Sequence, residues 1–450
     1  MTTALLWFRR DLRLSDNPAL VEAVRSADDL VGVFCLDPTL WEAAGAIRRR
    51  YLLDSLDALD ESMDGNLVTR LGDPVEVVPS LADEVGAASV HLAEDFGPYG
   101  RDRDEAVGGA LEEAGIEFVR TGSPYAIDPG TIFTKSDTHY KVFTPFSRSW
   151  REHGWPDPVA KPASIIWRPA PSDELPERPH IGDMELARAG EDAAKNRLDH
   201  FLRSKVEDYE EARDRPADDA TSRLSADLKW GALHPRQILA RLGRTQGEKT
   251  FATELCWRDF YADVLFHVPE SARESLNERV ASMPWDTGDG ADEVFEDWSQ
   301  GRTGYPIVDA GMRQLLAEGW MHNRVRMIVA SFLVKDLHLE WQRGARWFMQ
   351  HLVDGDLASN QHGWQWTAGT GTDAAPYFRI FNPTTQGERF DPTGDYVRRY
   401  VPELAGVAGK AVHQPWTLDD PPADYPAPIV DHAEEREESL RRYEHTSGTR

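Results

Sequence analysis

The chain has 450 residues, enough to build two separate cores, and its 50 Lys and Arg against 77 Asp and Glu give a formal net charge of −27. That balance argues, by itself, against a protein that grips a polyanion. Composition also excludes a membrane-spanning helix, since no apolar run approaches the roughly 18 residues one needs. The opening MTTALLWFRRDLRL lacks the long apolar stretch of a signal peptide. The two cysteines, Cys35 and Cys256, form neither a disulfide framework nor a Cys-x-x-Cys ligand pair. A monomeric protein of the reducing cytoplasm is expected, with no membrane association, no obligatory protein partner and no metal.

In chain order, short apolar runs at Leu5 to Phe8, Leu30 to Leu36, Leu67 to Leu71, Ser89 to Leu92 and Ile116 to Val119 are separated by stretches long enough for crossover helices. This pattern predicts a parallel α/β sheet. No Gly-x-Gly-x-x-Gly turn follows the first strand, so a dinucleotide in the doubly wound position has no support. Gly369 and Gly371 imitate that motif without a βαβ setting. From Trp155 to His180, prolines recur at 156, 158, 162, 169, 171, 176 and 179 and read as a linker wrapped over a surface. Helical periodicity resumes near Met184, and the remainder reads as helical. The predicted organisation is an α/β domain over 1–130, a proline-rich linker over 131–204 and an all-α domain over 205–450. Within the helical part, Arg302 to Arg346 holds seven Lys and Arg against four acids, a basic island in an acidic chain. Standing alone, it reads as a solvated helix face.

Several motifs carry a more specific signal. WFRRDLRLSDNPAL at 7–20 is similar to the start of the photolyase and cryptochrome family, whose first domain holds a light-harvesting antenna. FCLDP at 34–38 and PYGRDRD at 98–104 resemble class I cyclobutane pyrimidine dimer photolyases of the deazaflavin type; the folate-binding branch would place a glutamate where Gly100 stands. The resemblance implies an 8-hydroxy-5-deazaflavin-type antenna, in preference to a folate, contacted by Cys35, Leu36, Arg48 and Asp102, with Lys249 reaching over from the second domain.

Tyr209 followed by TSRLS at 221–225 resembles the family's FAD pyrophosphate loop, with Thr221, Ser222, Arg223, Leu224 and Ser225 as contacts. Hydroxyls and backbone N–H groups suit an anion, and Arg223 adds charge; alone, the run would read as a polar helix start. Asn323, Arg326, Asp354, Gly355, Asp356 and Asn360 fall where the family surrounds the isoalloxazine ring. Asn360 matches the position facing flavin N5, where plant cryptochromes carry aspartate. An amide can hydrogen-bond N5 but cannot release a titrating proton, which favours electron donation over signalling.

ELCWRDFY at 254–261 and MHNRVRM at 321–327 resemble segments lining the lesion pocket of dimer-splitting members. The implied roles are apolar walls for a flipped dimer from Trp257 and Trp366 and a soft contact from Met327. Glu254 and Asn323 would hydrogen-bond the pyrimidine edges, and Arg258, Arg324 and Arg379 would contact phosphate. Burial should raise the Glu254 pKa, making a donating carboxylic acid conceivable. Trp364, Trp341 and Trp285 match the family's electron-hopping chain; core packing is the rival role for each of the 15 tryptophans. The reaction implied is light-driven repair of pyrimidine dimers in damaged DNA by reduced FAD. The alternative is a cryptochrome-type blue-light photoreceptor.

Overall fold

The computed structural model describes residues 1–372 and 379–446. The chain forms two compact units, one of Met1–Glu207 with Ser222–Pro269, the other of Asp208–Thr221 with Glu270–Arg450. These units are interleaved in sequence, and their limits differ from boundaries at 130 and 204.

In the first unit, β1 (Thr3–Phe8), β2 (Asp29–Leu36), β3 (Leu67–Leu71), β4 (Ala87–Leu92) and β5 (Glu117–Arg120) form one parallel sheet in the order β3-β2-β1-β4-β5. The apolar runs are thus strands, as expected. Strand β1 is buried throughout because it is central and both sheet faces are covered. Ala4, Leu6 and Phe8 enter one core, while Leu5 and Trp7 enter the other. Helices α1 (Pro18–Ser26), α2 (Ala46–Ser62), α3 (Pro74–Val85) and α4 (Pro98–Glu113) supply the crossovers. Asn17 and Asp73 cap α1 and α3, each followed by a proline whose missing N–H costs nothing at a helix start.

The proline-rich segment is bound to the sheet. Asp173 N–H donates to Thr69 O at 2.8 Å along the outer edge of β3, and Leu30 N–H donates to Ile166 O at 2.9 Å beside the start of β2. A run that cannot form a regular strand covers an edge that would otherwise expose unpaired backbone groups. Helix α5 (Phe143–His153) precedes this segment and α6 (Glu191–Ser204) follows it; the latter starts later than the periodicity near Met184 suggested. Helix α7 (Gln246–His267) packs against α5 and belongs to this unit. Gly231, at φ +70°, precedes this helix, and a Cβ there would lie 1.9 Å from Arg10 O, so only glycine fits.

The second unit is helical, built around α8 (Asp289–Ser299), α9 (Pro306–Glu318), α10 (Asn323–Lys335), α11 (Trp341–His351), α12 (Leu357–Ala368), α13 (Pro383–Phe390) and α14 (His432–His445). Its core includes Trp298, Val308, Met312, Val329 and Phe332, and the Trp298 indole donates to Val329 O at 3.0 Å, so a buried N–H is satisfied within the apolar interior.

Candidate flavin and DNA sites

Helix α10 is capped by His322, whose Nδ1 accepts the Arg324 N–H at 3.2 Å. Residues two apart on a helix point in different directions, and Arg324 and Arg326 accordingly have different partners. Arg326 donates through Nη2 to Asp354 Oδ2 at 2.8 Å and through Nε to Met321 O at 2.9 Å. Asp354 is buried, and its Oδ1 has no hydrogen-bond partner among the described residues. Leaving a buried acceptor unsatisfied costs about 1–3 kcal/mol, so Oδ1 marks a place for a donor from outside the chain. A flavin imide N–H is a donor of that kind, and the predicted isoalloxazine residues fit the group on this observation.

Asp356 caps α12, its Oδ1 accepting the Ser359 N–H at 3.0 Å, with Gly355 buried beside it. On the same helix the Asn360 amide nitrogen donates to Ala345 O at 3.1 Å and to Gln361 Oε1 at 2.8 Å. Both amide hydrogens are committed, which leaves Oδ1 as the group available to accept. The cap of this helix is Asp356, so Asn360 is not needed for capping.

Arg324 lies on one wall of a cleft of about 520 Å³ that also takes in Met327, Arg379, Gln386, Arg389 and Arg436. Four guanidinium groups share this cleft, and none of the described residues lining it is acidic. In a chain of net charge −27 such a cleft concentrates positive potential where an anion can enter. Trp366 is half-buried beside it, with Arg379 over its ring at 5.9 Å. Asn323 is exposed at the helix start. The basic island read in the sequence is not the same feature. Arg302, Arg313 and Arg343 pair with Asp297, Glu403 and Asp292, while three cleft arginines come from 379, 389 and 436, outside the island.

Trp364 and Trp341 are buried on the packed helices α12 and α11, and Trp285 is partly buried at the margin of the same core. Gly344 makes room for Trp364, whose Cη2 would lie 2.1 Å from a Cβ at that position. The Trp364 ring meets Phe348 at 4.9 Å and Trp298 at 6.1 Å between centroids, and the Trp341 indole donates to Ser275 Oγ at 3.0 Å. Trp298 is thus a direct ring neighbour of Trp364 that sequence reading left among the core tryptophans.

In the first unit, Trp257 and Arg258 lie one turn beyond Glu254 on α7. One face of Trp257 is stacked on Phe143 at 3.5 Å with an interplanar angle of 5°. Glu254 is half-buried. Arg258 departs from expectation. Its Nη1 donates to Pro124 O at 2.7 Å and its Nη2 to Leu228 O at 3.2 Å, with the guanidinium 4.7 Å from the Tyr125 ring centre. It braces its own unit from within, with both terminal nitrogens engaged by backbone carbonyls, which makes it a structural arginine and not a phosphate contact.

The predicted pyrophosphate run is divided between the units after Thr221. Tyr209 and Thr221 belong to the second unit, and Tyr209 is buried under Arg213 at 5.8 Å. Ser222, Arg223, Leu224 and Ser225 belong to the first. Arg223 has φ +51°, a conformation non-glycine residues adopt at a cost, as residues in ligand loops often do.

Of the antenna residues, Cys35 and Leu36 are buried at the carboxyl end of β2, and Arg48 is buried on α2. Asp102 on α4 and Lys249 on α7 are exposed, and Lys249 belongs to the first unit. Burial, reinforced by Asp37, pushes the Cys35 thiol up to about 12, so it can serve as a packing surface but not as a nucleophile. The chain leaves β1 toward β2 on one side, and β4 flanks it on the other, which places a ligand-accepting crevice at the carboxyl ends of these strands. Tyr99 donates to Asp37 Oδ2 at 2.6 Å there, and Arg103 lies 5.2 Å from the Trp7 ring centre. Tyr99 and Arg103 fall inside the quoted PYGRDRD motif and Asp37 inside FCLDP, yet spacing alone did not single them out.

Residues 251–445 match the sequence family described as the FAD binding domain of DNA photolyase, and residues 4–163 match the family described as DNA photolyase. Fold and site therefore define a flavoprotein of photolyase architecture. The chain is 40% identical to a deoxyribodipyrimidine photo-lyase of Vibrio cholerae, with 99% of this chain and 100% of that protein covered. Its structure resembles a class III photolyase of Agrobacterium tumefaciens with a TM-score of 0.92 at 37% identity, covering 100% of this chain and 98% of the other. It also resembles a cryptochrome of Synechocystis with a TM-score of 0.89 at 29% identity, covering 98% and 99%. The chain belongs to the photolyase and cryptochrome family.

Proposed function

We propose that this chain is a light-dependent DNA lyase that splits cyclobutane pyrimidine dimers. The observation that carries the reading is the double use of α10. Its first turn sends Arg324 into an arginine-lined cleft suited to phosphodiesters and Arg326 to a buried carboxylate with an unfilled acceptor. Reduced FAD, when bound and excited by light, supplies the electron that opens the dimer and takes it back. The chain's task is to bind, orient and exclude water.

Arg326, Asp354, Gly355 and Asp356 are proposed to hold the polar edge of the ring system, and Asn360 Oδ1 to accept a hydrogen bond at N5. Tyr209, Thr221, Ser222, Arg223, Leu224 and Ser225 are proposed to hold the pyrophosphate. For the lesion, Trp257, Trp366 and Met327 would offer apolar contact, and Glu254 and Asn323 hydrogen bonds to pyrimidine edges. A dimer pairs and stacks poorly, so its extrusion costs less than that of intact bases. Arg324 and Arg379 would fix phosphates without reading sequence.

We further propose an 8-hydroxy-5-deazaflavin-type antenna at Cys35, Leu36, Arg48 and Asp102, with Lys249 as an outer contact. Supporting this over a folate, a Cβ at Gly100 would lie 2.3 Å from Asp95 Cγ, so a glutamate there would have to displace a partly buried carboxylate that pairs with Arg103. We take the protein to act as a cytoplasmic monomer; no helix among the described residues is long and apolar enough to cross a membrane.

The test is binding of the FAD-loaded protein to matched duplexes with and without one dimer. A clear preference for the dimer is expected; equal affinity contradicts the reading.

A further inference from the structure

Lys335 ends α10, one turn beyond Ser331, and is 2% exposed. Burial pushes its ammonium down to about 7, Arg379 adding to the effect and Asp336 opposing it. A buried amine lowers stability where an apolar side chain of similar volume would raise it, so its presence calls for a role. The Nζ donates to the backbone oxygen of Arg379, and Ser331 Oγ accepts the Phe381 N–H at 3.3 Å. Two side chains four residues apart on one helix face thus hold the backbone on both sides of Ile380. The other end of the same helix carries Arg324 and Met327 into the cleft that Arg379 enters. Ser439 of α14 donates to Lys335 O at 2.8 Å, which fixes the clamp from behind.

We infer that Lys335, assisted by Ser331, is a positioning residue for DNA binding, anchoring the Arg379 backbone so that its guanidinium meets phosphate in register with Arg324. This rests on the proposed role of Arg379. Misplacing one phosphate contact removes about one released counterion from the binding equilibrium, whereas a general loss of stability does not.

The experiment measures the affinity of FAD-loaded Lys335→Met, Arg379→Ala and the double variant for a dimer-containing duplex over a salt series. Lys335→Met should keep its flavin, weaken binding by roughly fivefold to tenfold and lower the salt slope by about one. Arg379→Ala should do the same, and the double variant should be no worse than Arg379→Ala alone. If Arg379→Ala lowers the slope while Lys335→Met leaves it unchanged, or if the two losses add, the positioning role is overturned. If Arg379→Ala itself leaves the slope unchanged, the phosphate reading of Arg379 fails instead. Should Lys335→Met lose its flavin or unfold, Ser331→Ala decides: a lowered slope that vanishes in the Arg379→Ala background supports the clamp, and a wild-type slope overturns it.

Discussion

Arg324 holds Asp214 through two parallel hydrogen bonds, Nε to Oδ1 at 3.2 Å and Nη2 to Oδ2 at 2.8 Å, while its guanidinium lies 4.4 Å from the Phe390 ring centre. The pair is partly exposed and so partly screened. It fixes the guanidinium at the cleft but competes with any phosphate for it. Asp214→Asn should tighten binding to damaged and intact duplexes alike by roughly twofold to fivefold, and Arg324→Ala should weaken both and lower the salt slope by about one. Titrations at several salt concentrations check this; a loss confined to damaged DNA would make Arg324 a lesion contact.

Trp257 has one face covered by Phe143. If another part of the ring meets an extruded base, Trp257→Ala should reduce discrimination for dimer-containing DNA by about 1–3 kcal/mol. Competition binding with intact duplex measures it. An unchanged preference would assign Trp257 to packing on Phe143 alone.

Asn360→Asp keeps an acceptor but gives up the amide hydrogens donated to Ala345 O and Gln361. A carboxylate facing a carbonyl oxygen in a half-buried site favours protonation, so its pKa should rise. Spectra recorded during photoreduction should become pH-dependent in the variant and stay pH-independent in the wild type. Repair should fall while flavin content and dimer binding hold. Wild-type spectra with full repair would reduce Asn360 to a structural amide.

Asp259 is buried, and burial raises its pKa to about 7, opposed by Arg258, by the Trp150 indole at 2.9 Å and by the Ile127 N–H at 3.2 Å. The folded value lies above the unfolded one of about 3.9, so between them the folded state binds more protons and stability falls as pH rises. The loss is complete above about 7 and on the order of 1–4 kcal/mol. Asp259→Asn, whose carbonyl can accept both hydrogen bonds, should gain melting temperature relative to wild type from about pH 5 to about pH 8. Parallel melting curves would contradict this.

Strands were legible because a buried parallel strand leaves a short apolar run with no alternation, as LLWF shows. The route of 155–180 along the sheet edge was not, since its contacts are backbone hydrogen bonds at Thr69 and Leu30 that carry no side-chain signature. Helix α7 read as part of the helical domain because its partner α5 lies a hundred residues earlier. Among site residues, Arg326 and Asp354 followed from the family resemblance of their motifs. Asp214 and the inward turn of Arg258 did not, because each depends on a partner 110 or 134 residues away. The charge island misled for the complementary reason: acids outside it, Asp214, Asp292, Asp297, Asp354 and Glu403, pair with its arginines, and the cleft is assembled from arginines scattered over more than a hundred positions.

The central claim is tested most directly by counting dimers in a defined oligonucleotide after incubation with the FAD-loaded, reduced protein under blue light and in darkness. The account predicts that dimers disappear in the light, intact pyrimidines appear in equal number, and nothing changes in the dark. Equal loss in darkness, or no loss under light despite bound flavin and bound DNA, would contradict it.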